Sequence, residues 1–247
     1  MFHRCSTCAA VLAALALAAV ALAQVRTPPT PGGRPPGSTP ASDVELVERL
    51  LAARKEYQTA LEDLRKHYVA VGDAKRARWA EEELRQFHHT SKQCFRLELE
   101  VPPPTLQAAY NIPEANELYR QAMIYKDKGW GDDHIYNQRR VEILLQRLLT
   151  NYPQSDKIGD AAFQLGEIYE GKTNHQYERA AAYFERCFQW KSGLGNEARL
   201  RAARIYDKQL TERGKAQELY RDITTHDTDP KRIQEAQKRL AELTGGK

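Results

Sequence analysis

Residues 166–173 read Gly-Glu-Ile-Tyr-Glu-Gly-Lys-Thr, the spacing of a phosphate-binding loop. That chemistry needs a flexible turn after a buried strand, with successive backbone N–H groups facing the phosphates. Here Ala162, Leu165, Gly166 and Tyr169 keep helical spacing, and Ile168 and Tyr169 are bulky. Glu167 and Glu170 would place two negative charges in the cradle, and no apolar strand ending in Asp follows to hold magnesium. A helix closed by Gly171 accounts for the same residues, so no nucleotide site is expected. His88-His89 and Asp132-Asp133-His134 carry metal-ligand types. Adjacent residues on a helix point about 100° apart, so neither group closes on one ion unaided. Asp132 and Asp133 are better placed to cap the helix after Gly131. No serine or cysteine nucleophile comes with a recognisable base. The reading is a non-enzyme without cofactor, metal or small-molecule substrate.

The elements around these residues are helical. The chain opens Met-Phe-His-Arg, runs apolar from Ala9 to Ala23, and ends that run Ala-Leu-Ala before Gln24. A basic start, a short apolar stretch and a small-x-small site make a secretory signal peptide over residues 1–23. The run falls short of the roughly 20 residues that cross a bilayer. No cysteine directly follows it, so a lipid anchor does not fit. The product is expected to be periplasmic or extracellular. Residues 24–42 are rich in Pro and Gly and read as a disordered tether. The formal net charge of +4 sits on a chain rich in both signs, which argues against nucleic acid as a partner. Beyond the leader only Cys94 and Cys187 remain; one disulfide is feasible, but Cys187 shares an apolar stripe with Ala180 and Phe184 and reads as a buried thiol.

Ser42 or Asp43, with Glu45 following, starts the first helix. Leu46, Leu50, Ala53, Tyr57, Ala60, Leu64 and Val71 form one stripe on it. Val47, Leu51, Leu61 and Tyr68 form a second, and together they predict a broad face packed in a core rather than a coiled-coil seam. Gly72-Asp73 turns the chain into a second helix, giving an N-terminal hairpin over 43–93. Residues Phe95 to Val101 alternate apolar and charged, the period of a strand, and Pro102-Pro103-Pro104 ends it. Residues 94–112 are therefore expected to be an extended connector. Helices are expected at 114–128, 133–151, 157–171, 176–190, 195–210, 213–225 and 230–243, so that repeats fill 113–247.

These helices are self-similar. Leu165-Gly166-x-x-Tyr169 leads to Ala180, Phe184 and Cys187; Ala202-Ala203-x-x-Tyr206 leads to Ala216, Tyr220 and Ile223. Leu61, Leu64, Tyr68, Gly72, Ala77 and Leu84 fit at the standard spacing, and Ala122, Tyr125, then Ile143 to Leu149, make a weaker copy. This pattern resembles the tetratricopeptide-repeat (TPR) family. Tyr152-Pro-Gln-Ser155 ahead of Asp160–Tyr169 is similar to the turn that opens repeats of envelope proteins of the BamD-like and Tol-associated cell-division coordinator type. The resemblance covers about residues 110–244. It implies an all-α, right-handed solenoid of antiparallel helix pairs, and a non-catalytic scaffold holding a protein or peptide partner in the cell envelope. A self-associating structural subunit, or an accessory subunit of an envelope enzyme, is the alternative.

In such a stack the first helix of each pair lines a groove. Counting from the Leu and Tyr anchors places there Asn116, Tyr119, Met123 and Lys126; Asp160, Phe163, Glu167 and Glu170; and Glu197, Leu200, Arg204 and Asp207. Tyr119, Met123, Phe163 and Leu200 would be apolar anchors among charges of both signs, suited to an extended peptide or a helix. The same positions would equally serve to contact a neighbouring helix or the 94–112 connector.

Overall fold

Ser42 sets the start of the first helix by a reciprocal cap. Its Oγ accepts from the Glu45 N–H at 3.2 Å, and the Glu45 carboxylate accepts from the Ser42 N–H at 2.9 Å. The computed structural model describes residues 42–171 and 174–245. The expected leader (1–23) and the tether up to residue 41 lie outside the described residues. Within them the chain is all-helical, with ten helices: α1 (Asp43–Ala70), α2 (Ala74–His89), α3 (Leu97–Glu100), α4 (Pro113–Lys126), α5 (Gly131–Asn151), α6 (Ile158–Glu170), α7 (Tyr177–Gln189), α8 (Gly195–Lys208), α9 (Arg213–His226) and α10 (Pro230–Gly245). From α4 onward the ends fall within two residues of those expected from periodicity.

The helices pack in consecutive pairs, α1/α2, α4/α5, α6/α7 and α8/α9, with α10 closing on α9. Each pair meets the next through its second helix, α5 on α6 and α7 on α8. The α6/α7 pair shows why the small residue recurs. A Cβ on Gly166 would sit 2.7 Å from the Phe184 ring, whose side chain is fully buried. The missing methyl lets α7 approach, and the aromatic fills the gap. Leu165, Tyr169, Ala180 and Cys187, and Ala202, Ala203, Tyr206, Ala216, Tyr220 and Ile223 in the next pair, are all buried in one continuous core. Cys94 and Cys187 are free thiols, and burial pushes both up to about 12.

Two expectations are corrected. The alternating segment is not a strand: Leu97–Glu100 forms a single helical turn and Val101 is buried. Among the described residues no strand runs beside it to supply a ladder. Side chains of α7 and of Trp190, which caps its C-terminus, satisfy its carbonyls instead, with the Tyr183 hydroxyl donating to Glu100 O (3.2 Å), Arg186 Nε to Pro102 O (2.6 Å) and Trp190 Nε1 to Pro103 O (3.3 Å). Farther on, Ala109 and Tyr110 donate to Gln154 O, and Asp156 donates to Tyr110 O.

The second correction concerns α1. Of its two stripes, only Val47 and Leu61 are buried, with Leu51 and Tyr68 half-buried. α2 presents just Ala77, Ala80 and Leu84 at the contact, too narrow a set to cover both stripes. The other stripe faces solvent, Leu46 at 52 % and Leu64 at 45 % exposed, except at Tyr57, which meets Phe87 edge-on and donates to Glu83.

Because the Phe184 ring is enclosed, Gly166→Ala is expected to lose about 1–2 kcal/mol despite the better helix propensity of alanine. Urea unfolding checks this, and adding Phe184→Leu in that background should recover part of the loss. An unchanged midpoint for Gly166→Ala would show that α6 and α7 are not in close contact there.

Candidate partner-binding face

α4, α6, α8 and α10 form one side of the stack, while α2 and the connector pack against α5 and α7 on the other. The twelve residues expected on that first side divide into three kinds. Phe163 and Leu200 are only 5 % and 4 % exposed and belong to the core, so neither serves as an exposed anchor. Phe163 meets Phe184 edge-on with ring centroids 5.6 Å apart, which locks α6 to α7 rather than offering a surface. Tyr119 and Met123 are half-buried against the same core and keep part of their surface free. Burial, with Asp160 and Glu167 nearby, pushes the Tyr119 phenol up to about 12, so it stays a neutral donor.

The charged members mostly find one another. Lys126 Nζ lies 2.8 Å from Glu167 on α6, and Glu167 also accepts from Arg201 Nη1 of α8 at 2.7 Å. Arg201 Nε stands 3.6 Å from Glu170. Arg204 forks onto Glu235 of α10 at 2.6 and 2.5 Å, and Asp207 accepts two bonds from Arg239, at 2.9 and 2.6 Å. The result is a ladder of ion pairs across successive first helices, partly shielded from water. The Glu170 carboxyl is pushed up, first by burial and then by Glu167, with Arg201 opposing. Near the starts of the helices the pairing thins. Asn116 Nδ2 donates to Asn111 Oδ1 (2.7 Å), Asp160 accepts from Ser192 Oγ (2.6 Å), and Glu197 is exposed with no ion-pair partner among the described residues.

Counting from anchors missed Arg201, Glu235 and Arg239, which complete the ladder. A signal for them is present: Glu167, Arg201 and Glu235 follow one another at 34-residue intervals with alternating sign. Equivalent positions of opposite charge in successive repeats are what an inter-repeat ion pair requires. Arg201 also lies over the Phe163 and Phe184 rings, 5.7 and 5.4 Å from their centroids.

The remaining chemical candidates sit elsewhere. Gly166–Glu170 lies within helix α6 and Gly171 caps it, donating to Glu167 O; residues 172 and 173, the Lys-Thr of the loop-like motif, lie outside the described residues. His89 Nε2 is 3.8 Å from Asp132 and Arg85 is 3.7 Å from Asp133, while His88 turns into the interior. Among the described residues no three His, Cys, Asp or Glu side chains converge as metal ligands. Compared with family models, characterised proteins and solved structures, the chain matches none.

A double-mutant cycle on Arg201→Gln and Glu167→Gln is expected to give a coupling of about 0.5–1 kcal/mol, falling in 1 M NaCl. Zero coupling at low salt would mean that the ladder does not tie α6 to α8.

Proposed function

We propose that the chain is a non-catalytic, exported scaffold of tetratricopeptide-like, right-handed helix pairs that docks a protein segment in the cell envelope. The observation that carries this reading is the side made by α4, α6 and α8: the N-terminal hairpin and the connector both pack on the opposite side and leave it uncovered. Tyr119 and Met123 supply a half-buried apolar seat on it. Lys126, Glu167, Glu170, Arg204 and Asp207 hold its shape by pairing across helices. Glu197, with Asp160 only loosely paired to Lys157 at 3.9 Å, leaves an acidic edge. The occupant that fits is an extended or helical peptide with one large apolar side chain for the seat and basic residues for the edge.

Crosslinking capture from isolated envelopes tests this, with the tagged chain beside a variant carrying Tyr119→Ala and Met123→Ala. A protein recovered by the parent and lost with the folded variant is the expected result. Equal recovery by both baits removes the docking role of this side.

One observation favours a second reading, a self-associating subunit. The exposed stripe of α1 alternates steps of four and three residues from Leu46 through Leu50, Ala53, Tyr57 and Ala60 to Leu64, the spacing of a helix–helix seam. It extends over roughly 38 Å from Leu46 to Val71 at the usual helical rise. Arg49, Glu56 and Asp63 flank it on the side away from Leu61 and α2. An antiparallel second copy would set each Arg49 opposite an Asp63, whereas a parallel copy would bring Arg49 against Arg54. Leu240, in contrast, is partly buried on the core. Sedimentation equilibrium at micromolar concentrations is expected to show dimers that Leu50→Glu with Leu64→Glu abolishes. A monomer at every concentration excludes this reading.

A further inference from the structure

On the side of the stack opposite the docking face, α1, α2, the connector and the α5 and α7 helices enclose a cavity of about 450 Å³ that opens to solvent. That volume is within the range of small-molecule sites. Its floor is polar and buried. Glu142, on α5, accepts from Arg139 Nη1 and from the Tyr169 hydroxyl, each at 2.8 Å. Burial alone would raise the Glu142 carboxyl, but Arg139 and Arg179 outweigh it and hold it below its ordinary value. Glu100, from the connector, stands 3.5 Å from Arg179 and accepts from the Phe95 N–H. Glu62 faces Arg147 at 3.7 Å and accepts from Gln58. All three carboxylates of the cavity are therefore already engaged.

The donors are not. Arg54, Lys55, Lys92, Arg139, Arg147 and Arg179 line the same space, a surplus of three cations over the three carboxylates. Arg139 and Arg179 are each only 5 % exposed, and each has a buried Nε–H with no acceptor. Both ring nitrogens of His88 are buried and unpartnered as well. Arg54 and Lys55 have no carboxylate within ion-pair distance among the described residues. Leaving such buried donors unmet costs stability, and the shortage is of acceptors. The titration of the bases agrees. Burial, with Arg139 and Arg54 adding, holds Lys92 down at about 8; burial, with Lys92 adding, holds His88 down at about 4. Leu51, Phe87 and Ile143 give the cavity an apolar wall.

We propose that this cavity binds a small organic anion carrying two or three negative charges on carboxylate or phosphate groups. The Arg139 and Arg179 guanidinium groups and the Lys92 ammonium are its donors, and Phe87 with Ile143 covers its uncharged part. Guanidinium groups fork onto carboxylates and phosphates alike, so both sources satisfy the site. The ligand was not anticipated from the sequence, and the inference stands apart from the docking reading.

Titration calorimetry on the purified chain tests it, with citrate, glucose 6-phosphate and inorganic phosphate as probes. Glucose and sodium chloride at matched ionic strength are the controls. Citrate or glucose 6-phosphate is expected to bind at one site with Kd at or below about 1 mM. Whichever of the two binds tighter separates a carboxylate ligand from a phosphate one. Near pH 8 binding should draw a proton from the buffer, because a bound anion raises the Lys92 pKa, and the measured heat should then depend on the buffer's ionisation enthalpy. Arg54→Gln with Lys92→Gln, which leaves the buried floor intact, should weaken binding at least about 10-fold while the chain still unfolds cooperatively. Absence of saturable binding by all three probes overturns the proposal. An equal response to chloride also overturns it, as does unchanged affinity in the double variant.

Discussion

A helix pair joined by a short turn has two apolar faces, and the pairing covers only one of them. Where the second face goes organises this molecule. In α4–α9 it goes onto the next pair, and the core runs unbroken from Ala115 to Ile223. At the C-terminal end a single helix, α10, covers it with Ala236 buried and Leu240 and Leu243 partly buried. At the N-terminal end the described chain leaves the second stripe of α1 largely exposed, with only Tyr57 meeting α2 through Phe87 and Glu83. The half-buried Tyr119 and Met123, the ion ladder and the exposed stripe of α1 are three consequences of that one requirement.

Polar groups follow the same geometry. Where two first helices come side by side, the surface between them is too narrow for a third element but close enough for charges to meet. The ladder from Lys126 to Arg239 occupies that strip. On the other side the hairpin stands off the stack and leaves a gap, into which α5 and α7 project arginines. Glu142 survives burial there because Arg139, Arg179 and Tyr169 surround it. The asymmetry between a side whose charges mostly pair and a side with a cationic surplus arises from how closely the neighbouring element approaches.

Much of this was legible in the residues. Gly166 with Phe184, and Ala203 with Tyr220, announce helix pairs because a small residue and an aromatic at fixed offsets have few other uses. Ser42 with Glu45 announces a helix start for the same reason. The helical turn within the connector was not legible because alternation reports only that one face is buried. It does not say whether a strand or a set of side chains will hold the backbone. Phe163 and Leu200 were assigned to the surface because counting within one helix cannot see how far the next helix leans over it. The cationic cavity was invisible, since Lys92, Arg139 and Arg179 come from three segments and only the docked hairpin brings them together. The α1 seam, in contrast, was visible, but its width was taken as a sign of burial.

The grip of α7 on the connector has a consequence for how the molecule changes over time. Tyr183, Arg186 and Trp190 hold main-chain carbonyls at Glu100, Pro102 and Pro103, and a carbonyl is the same whatever residue carries it. The connector's outward side chains are thereby released from selection for attachment, while the three α7 donors are not. Its exposed positions can drift, while Val101 in the core and Glu100 beside Arg179 stay fixed with the three donors.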